Sequence, residues 1–543
     1  MVATIYSGTF ITMDEDRPEG EAMLVVDDRI VAIGALQDVH AAAPDDAIHT
    51  PLDGWVLPGL VEPHGHPTNS AVFLSEDTLD IRPVTLARAD EVMHALGEAI
   101  AAGPETLFAN GWDPLLQRGL ETPDRASLDR LAGPIPLVIL HNSGHSAYFN
   151  SAAAALAGID RTTPDPPGAS YGRDASGELN GIAFETAAVT RLVMPVAAKA
   201  FGDFGRIFAE HCADLNRRGY TTVSDLGWDP SLAPAIAAVR ANGGLTIRLR
   251  LYAMSKPGVL PSERPDERPD NAGDGTGGED ALVRQVGVKT WSDGSPWVGN
   301  IATTFPYLDT AATRAIGLEP HHIGTANFSR EQLIDIGDPH AAAGWQLACH
   351  AHGDRAISDT LDAYEELITR HDLVDHRFRL EHVGAMTPAQ FERAAALGVT
   401  TSVFVDHLYY WGDVLVDDLF GEEHGAAWAD AGAAFAAGIR ATFHNDGWVT
   451  PNEPFRNMSV AMTRRTRSGR RLDRGTVVDR ADALRAHTSN AAWQVRSDHE
   501  IGALRPGLFA DFITVDRDPR TADPELLAHT VVTSTYLGGA RVA

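Results

Sequence analysis

Cysteine and lysine are nearly missing from this chain of 543 residues, which holds two of the first and three of the second. Cys212 and Cys349 are too few for a disulfide framework, and a reducing, cytoplasmic setting is expected. The opening Met1-Val2-Ala3-Thr4-Ile5-Tyr6 lacks a charged start followed by an apolar stretch, so no signal peptide is read there. No uninterrupted apolar run approaches the roughly 20 residues needed to cross a bilayer, so no membrane partner is expected. Positive charge is scarce too: 44 basic residues face 74 acidic ones, for a net charge of −30. Nucleic acid and anionic lipid both select a basic face, so neither is expected as a partner, and the acidity reads as solubility. No glycine-rich fingerprint follows the first strand of the central region, which removes the usual signature of a dinucleotide site.

The lysine shortage gives each survivor weight. Arginine serves wherever only a charge is wanted, but it cannot lose its proton. A lysine inside an apolar strand is therefore a candidate for amine chemistry. Of Lys199, Lys256 and Lys289, the last sits in such a run, Val286-Gly287-Val288-Lys289-Thr290-Trp291. The alternative is a chance survivor whose ammonium reaches the surface.

What is abundant is apolar residue, 44% of the chain, ample for a large core. Short strand-like runs with turns occupy residues 1–55 and 498–543, including a hairpin signal at Asp27-Asp28. They predict a small composite β-sandwich built from both termini. Residues 56–497 alternate apolar strands with helical stretches. Strand candidates are 106–109, 136–140, 221–225, 246–251, 286–289, 345–350, 377–382, 399–405 and 440–444. Alternation on this scale predicts an α/β fold, a (β/α)8 TIM barrel with insertions rather than an open doubly wound sheet. Residues 256–280, rich in Pro, Gly, Asp and Glu, read as a loop or lid. The five arginines of 464–471 read as a solvated loop, or as a contact for an anionic substrate or partner subunit.

The most informative stretch is Val56-Leu57-Pro58-Gly59-Leu60-Val61-Glu62-Pro63-His64-Gly65-His66. Its apolar part reads as one short buried strand. Residues two apart in a strand point the same way, so His64 and His66 can offer two imidazoles to one point past its end. Divalent metals such as zinc favour such ligands. A pair of solvated loop histidines is the plainer alternative. Barrel enzymes carry their chemistry at the C-terminal ends of strands. Lys289, His350 and His382 fall at such ends, and Asp446 follows the strand near Thr442. Six ionisable groups at the strand ends of one barrel converge on one cleft.

Here the chain resembles the amidohydrolase superfamily, in the branch of N-substituted formamide deformylases and related metal-dependent hydrolases. The resemblance rests on His64-Gly65-His66, on Ser143 to Ser151, on Val288 to Ser295 and on His350 to Ala356, together with Glu381-His382, Asn445-Asp446 and the tail Gly502 to Asp511. It spans nearly the whole chain in order. It implies a barrel holding one or two divalent ions, with zinc expected. His64, His66, Lys289, His350, His382 and Asp446 would be ligands. Lys289 matches the position that many relatives carboxylate on the amine to bridge two metals. Asp446 would also shuttle protons as the catalytic residue. The chain departs from the pattern at Phe443-His444-Asn445, where small residues are usual.

Several assignments stay open. His352 shares a strand face with His350; His350 is favoured as ligand, with His352 nearer substrate. His145 is a substrate contact or a buried hydrogen-bonding residue. His407 is a substrate contact or aromatic packing. Trp291 is placed at the substrate, and with Trp297, Tyr409, Tyr410 and Trp411 it suggests an aromatic or apolar substituent. The reaction expected is hydrolysis of an amide-type C–N bond in a small molecule, although an ester, lactone or cyclic amide stays open. A metal-dependent decarboxylase on the same barrel is the second reading, and a non-catalytic metal-binding or regulatory barrel the third. A homodimer follows only by analogy with the resembling group.

Overall fold

The apolar run around Val56–Val61 is not one strand but two, split at Gly59. A Cβ at Gly59 would lie 2.2 Å from Thr221 Oγ1, so only glycine permits so close a passage. Before it, Ile48–Pro58 belongs to a sheet made from the chain's ends; after it, Leu60–Gly65 opens the barrel. The computed structural model describes residues 2–255 and 281–543. The expected lid at 256–280, with Lys256, lies outside the described residues.

The barrel strands run in sequence order around an eight-stranded parallel sheet. They are Leu60–Gly65, Tyr220–Trp228, Arg248–Met254, Val283–Trp291, Gln346–Ala351, Arg379–His382, Thr400–Val403 and Thr442–Phe443. The last seven strand candidates of the sequence all fall here. The first and eighth strands share no ladder among the described residues, and side chains bridge that gap. Asn445 Nδ2 donates to Glu62 Oε2 at 2.8 Å and to the Tyr220 hydroxyl at 2.8 Å. The barrel is thus nearly closed, with its last seam made of polar side chains. Helices cover the outside through apolar stripes. In Asp354–Arg370, Ile357, Leu361, Tyr364 and Leu367 recur at helical spacing and are buried, while acids and arginine occupy the other face.

Two expected barrel strands belong elsewhere. Residues 106–109 and 136–140 lie in Leu107–Trp112 and Leu137–His141, inside a separate six-stranded sheet inserted between the first and second barrel strands. An apolar run marks a buried strand but carries no record of which sheet buries it. This sheet has its own apolar core, including Val92, Leu96, Ile139 and Tyr148.

The two ends of the chain meet in one seven-stranded sheet. Ala3–Ile11, Glu19–Val26, Arg29–Gly34 and Ile48–Pro58 pair on one side with Phe512–Val515, Val532–Leu537 and Ala540–Arg541 on the other. The expected hairpin turns at Asp27, whose φ is 56°. This pairing joins both termini, but it does not by itself divide the sheet into the two layers of a sandwich. A buried ion pair, Arg248 Nε to Asp511 Oδ2 at 2.6 Å, ties this sheet to the barrel.

The arginine run is not simply solvated. Arg464 is 1% exposed, and its guanidinium donates to the carbonyls of Ala426, Trp428, Ala429 and Leu472. Arg465, Arg470 and Arg471 pair with Glu525, Asp417 and Asp473. Among the described residues, no helix is long and apolar enough to cross a membrane.

Candidate metal centre

His64 leaves the first barrel strand with its two ring nitrogens already assigned different tasks. Its Nδ1–H donates to Glu381 Oε2 at 2.5 Å, which turns Nε2 toward the barrel mouth. Glu381 comes from the sixth strand and is held by the Arg379 guanidinium, which also donates to the Tyr252 hydroxyl and to Pro63 O. A carboxylate that fixes one imidazole nitrogen leaves the other as a lone-pair donor of set direction.

The other expected ligands gather around that lone pair. Lys289 Nζ is 3.4 Å from His64 Nε2. Asp446 Oδ1 is 3.5 Å from His64 Nε2 and 3.3 Å from His66 Nε2. His382 Nδ1 is 3.9 Å from Asp446 Oδ2, and its ring centroid is 4.5 Å from that of His350. All six residues meet in one cluster, as the strand-end positions predict. His350 donates from Nε2 to Gly294 O at 2.8 Å, which leaves Nδ1 as its free nitrogen.

The donor set fits a divalent cation. Donors about 2.0–2.1 Å from one tetrahedral ion stand roughly 3.3 Å apart, close to the separations of Asp446 from His64 and His66. His352 Nδ1 and Asp446 Oδ1 are buried with no hydrogen-bond partner, an arrangement that proteins rarely leave unmatched. Burial holds His64, His350, His352 and His382 well below the usual imidazole range, with neighbouring cationic groups adding to it. They are neutral near pH 7 and so keep the lone pairs that ligation needs. Burial likewise pushes Lys289 down to about 8. Two triads bring one donor each within 4.8 Å of one another: His350, His352 and His382, and His64, His382 and Asp446.

A family model described as "Amidohydrolase family" matches residues 53–543. The chain belongs to the amidohydrolase family. It is 26% identical over 540 residues to N-substituted formamide deformylase of Arthrobacter pascens, covering 97% of this chain and 96% of that one. It is 26% identical over 561 residues to the Arabidopsis thaliana protein LONG AFTER FAR-RED 3, covering 98% and 90%. A solved structure of an uncharacterized metal-dependent hydrolase from Pyrococcus horikoshii shares the fold, with a TM-score of 0.71 at 22% identity over 96% of this chain and 99% of that one.

Other features of this amidohydrolase site are set by the surrounding backbone and neighbours. Backbone strain marks it: His382, Val383, Asp446 and Glu185 all have positive φ, from 48° to 69°. Such values are uncommon for residues with a Cβ, and a β-branched valine there is an outlier. His444 is sandwiched into the cluster wall, with Nε2 3.0 Å from His382 Nδ1 and Nδ1 3.0 Å from Ser402 Oγ. The period of two along Thr442–Asp446 is the signal that finds it. Glu185 has no such signal, since it reaches His145 from the junction of the strand Leu179–Phe184 and the helix Thr186–Val196, 40 positions away.

His145 lies at the mouth, with Nδ1 donating to Glu185 Oε2 at 2.7 Å and its ring 4.7 Å from His350. Burial opposes its charge, but the Glu185 carboxylate outweighs that and raises its pKa. Trp291 and Lys289 line the same cleft. His352 does not sit nearer the opening than His350. His350 lines the cleft and His352 does not; His352 is stacked between His382 and His407 at centroid distances of 4.8 and 5.3 Å. His407 is packed among Trp297 and Phe404, and its Nδ1 accepts from Trp428 Nε1 at 3.3 Å. Trp297 and Trp411 stack on each other in the core, away from the cleft lining.

Proposed function

We propose that this amidohydrolase is a metal-dependent enzyme that hydrolyses the amide-type C–N bond of a small molecule. The observation that carries the reading is the meeting of His64, His66, Lys289, His350, His382 and Asp446 at the C-terminal mouth of the barrel. These residues would hold one or two divalent ions, with zinc the ion best matched to neutral imidazoles and carboxylate. Lys289, close to His64 and partly deprotonated, is the position where an amine carboxylate would add an anionic oxygen between two ions. The chemistry such an ion supplies is a water acidic enough to react near pH 7 and a polarised carbonyl.

The chain's own groups account for the proton traffic. Asp446 takes the proton of the attacking water as its oxygen bonds to the carbonyl carbon. The C–N bond then breaks, and Asp446 returns that proton to the departing nitrogen. Its Oδ1 has no hydrogen-bond partner, so it is available for this. His145 Nε2–H would donate to the carbonyl oxygen as negative charge grows there, with Glu185 fixing the ring. N-substituted formamides are the first substrates to try, given the name of the Arthrobacter relative.

The test is metal analysis paired with a panel of formamides, acyl amides, cyclic amides and esters. Bound metal, turnover lost on chelation and restored by zinc, and release of an amine plus an acid are expected. Carbon dioxide as the product would favour a decarboxylase instead. Full activity after exhaustive chelation would end the reading.

A further inference from the structure

The cleft above the cluster has two unlike walls. One is the polar centre already described. The other is apolar and is contributed by Phe73, Val189, Val193, Phe201, Trp448 and Val449. Together they border one cleft that is partly open to solvent. Val189 and Val193 stand four apart on the helix Thr186–Val196, so one helical face forms a continuous apolar floor. Thr190 and Met194 border the cleft from the same helix, and the Met194 side chain is 45% exposed at its rim.

The cationic groups of the lining, Lys289 and His145, both belong to the polar centre, and the apolar wall carries none. Among the described residues the lining contains no arginine, and its one lysine is Lys289, inside the cluster. Lys199, on the neighbouring Ala198–Gly202, is turned outward to Asp77 at 2.5 Å. A carboxylate or phosphate carried out onto that wall would meet valine, phenylalanine and tryptophan with no charged partner among the described residues. Burying an anion in that way is strongly unfavourable, and enzymes that select carboxylates supply a guanidinium or ammonium for it.

We infer that this site, on the function proposed above, takes an uncharged amide carrying a bulky apolar substituent, aryl or branched alkyl. The substituent lies on the floor made by Val189 and Val193 against Phe73 and Trp448. A substituent that ends in a carboxylate finds no charged partner on that floor. Continuity with the cluster makes this wall a specificity pocket: it begins where His66, which packs 5.3 Å from Trp448, ends.

The test uses three hydroxamates with a common metal-binding head: acetohydroxamate, phenylacetohydroxamate and succinic monohydroxamate. Each is titrated calorimetrically into the zinc-loaded full-length protein and into chelated protein. Phenylacetohydroxamate is expected to bind at least about 10-fold tighter than acetohydroxamate, as burial of a phenyl ring implies. The succinic compound is expected to bind no tighter than acetohydroxamate. Val193→Ala should shrink the phenyl advantage. Met194→Arg, at an exposed position that tolerates charge, should shrink it further and raise the affinity for the succinic compound. A succinic preference in the unaltered protein overturns the inference. So does a phenyl advantage that is missing, or untouched by both substitutions. If acetohydroxamate itself shows no zinc-dependent binding, the metal-centre reading fails and the inference resting on it falls too.

Discussion

Asp446 and Glu381 divide the work at the centre in ways that single substitutions separate. Asp446 faces the cleft with an unpartnered oxygen, whereas Glu381 is fully buried and reaches the centre only through His64. Asp446→Asn keeps the shape and one oxygen donor but removes the base. It is expected to retain metal while kcat falls about 10²–10⁴-fold, the usual worth of a positioned acid–base group. Metal analysis alongside steady-state kinetics checks both halves, and unchanged turnover would remove Asp446 from the reaction. Glu381→Gln should do the reverse. It weakens the hold on the His64 tautomer, so metal affinity is expected to fall about 10–100-fold, read by competition with a chromogenic chelator. Activity at saturating metal should suffer less than affinity does.

At the level of elements, a buried ion pair anchors the terminal sheet to the N-terminal end of a barrel strand. Arg248, on the third barrel strand, and Asp511, beside the strand Phe512–Val515, form a bidentate pair at 2.6 and 3.0 Å, with the Phe509 ring 3.6 Å beneath the guanidinium. Asp511 also accepts from Gly538 N at 2.7 Å. Asp511→Ala leaves a buried guanidinium without its counter-charge and is expected to cost about 3–5 kcal/mol. Arg248→Met combined with Asp511→Leu removes both charges and should recover part of that loss in a thermal melt. Equal destabilisation by the single and the double substitution would show that the charge pair is not what holds the sheet. The inserted six-stranded sheet has a different role. It holds His145 just before the strand Ser146–Phe149 and Glu185 just after the strand Leu179–Phe184, and the two meet beside a centre built at the ends of barrel strands.

Across the whole molecule, buried neutral histidines make the fold sensitive to acid. Away from the centre, His211 and His487 are each pushed down to about 4, chiefly by burial. In the unfolded chain both titrate near 6.5. Below that pH the unfolded chain takes up protons that the fold refuses. Their contribution is therefore intact above about 6.5 and is lost as pH falls toward 4. The Tm of chelated protein should drop over this range, and His211→Gln should flatten the drop. A variant whose Tm tracks the parent at every pH would refute the assignment.

The sequence by itself determined the barrel and the ionisable residues at its strand ends, because both are written in short-range order. A period of two puts His64 and His66 on one side of a strand end, and the alternation of strands with helices repeats along the chain. The lone lysine of an apolar run and the histidines closing two later strands were legible for the same reason. Only the tertiary structure decided which strands share a sheet, so 106–109 and 136–140 were assigned to the barrel although the inserted sheet buries them. It also decided that His145 meets Glu185, that His352 stacks on His382, and that valine, phenylalanine and tryptophan from distant segments make one apolar wall. These contacts join residues tens to hundreds of positions apart. No local periodicity encodes such pairings; they exist only once the barrel closes and brings its loops to the same mouth.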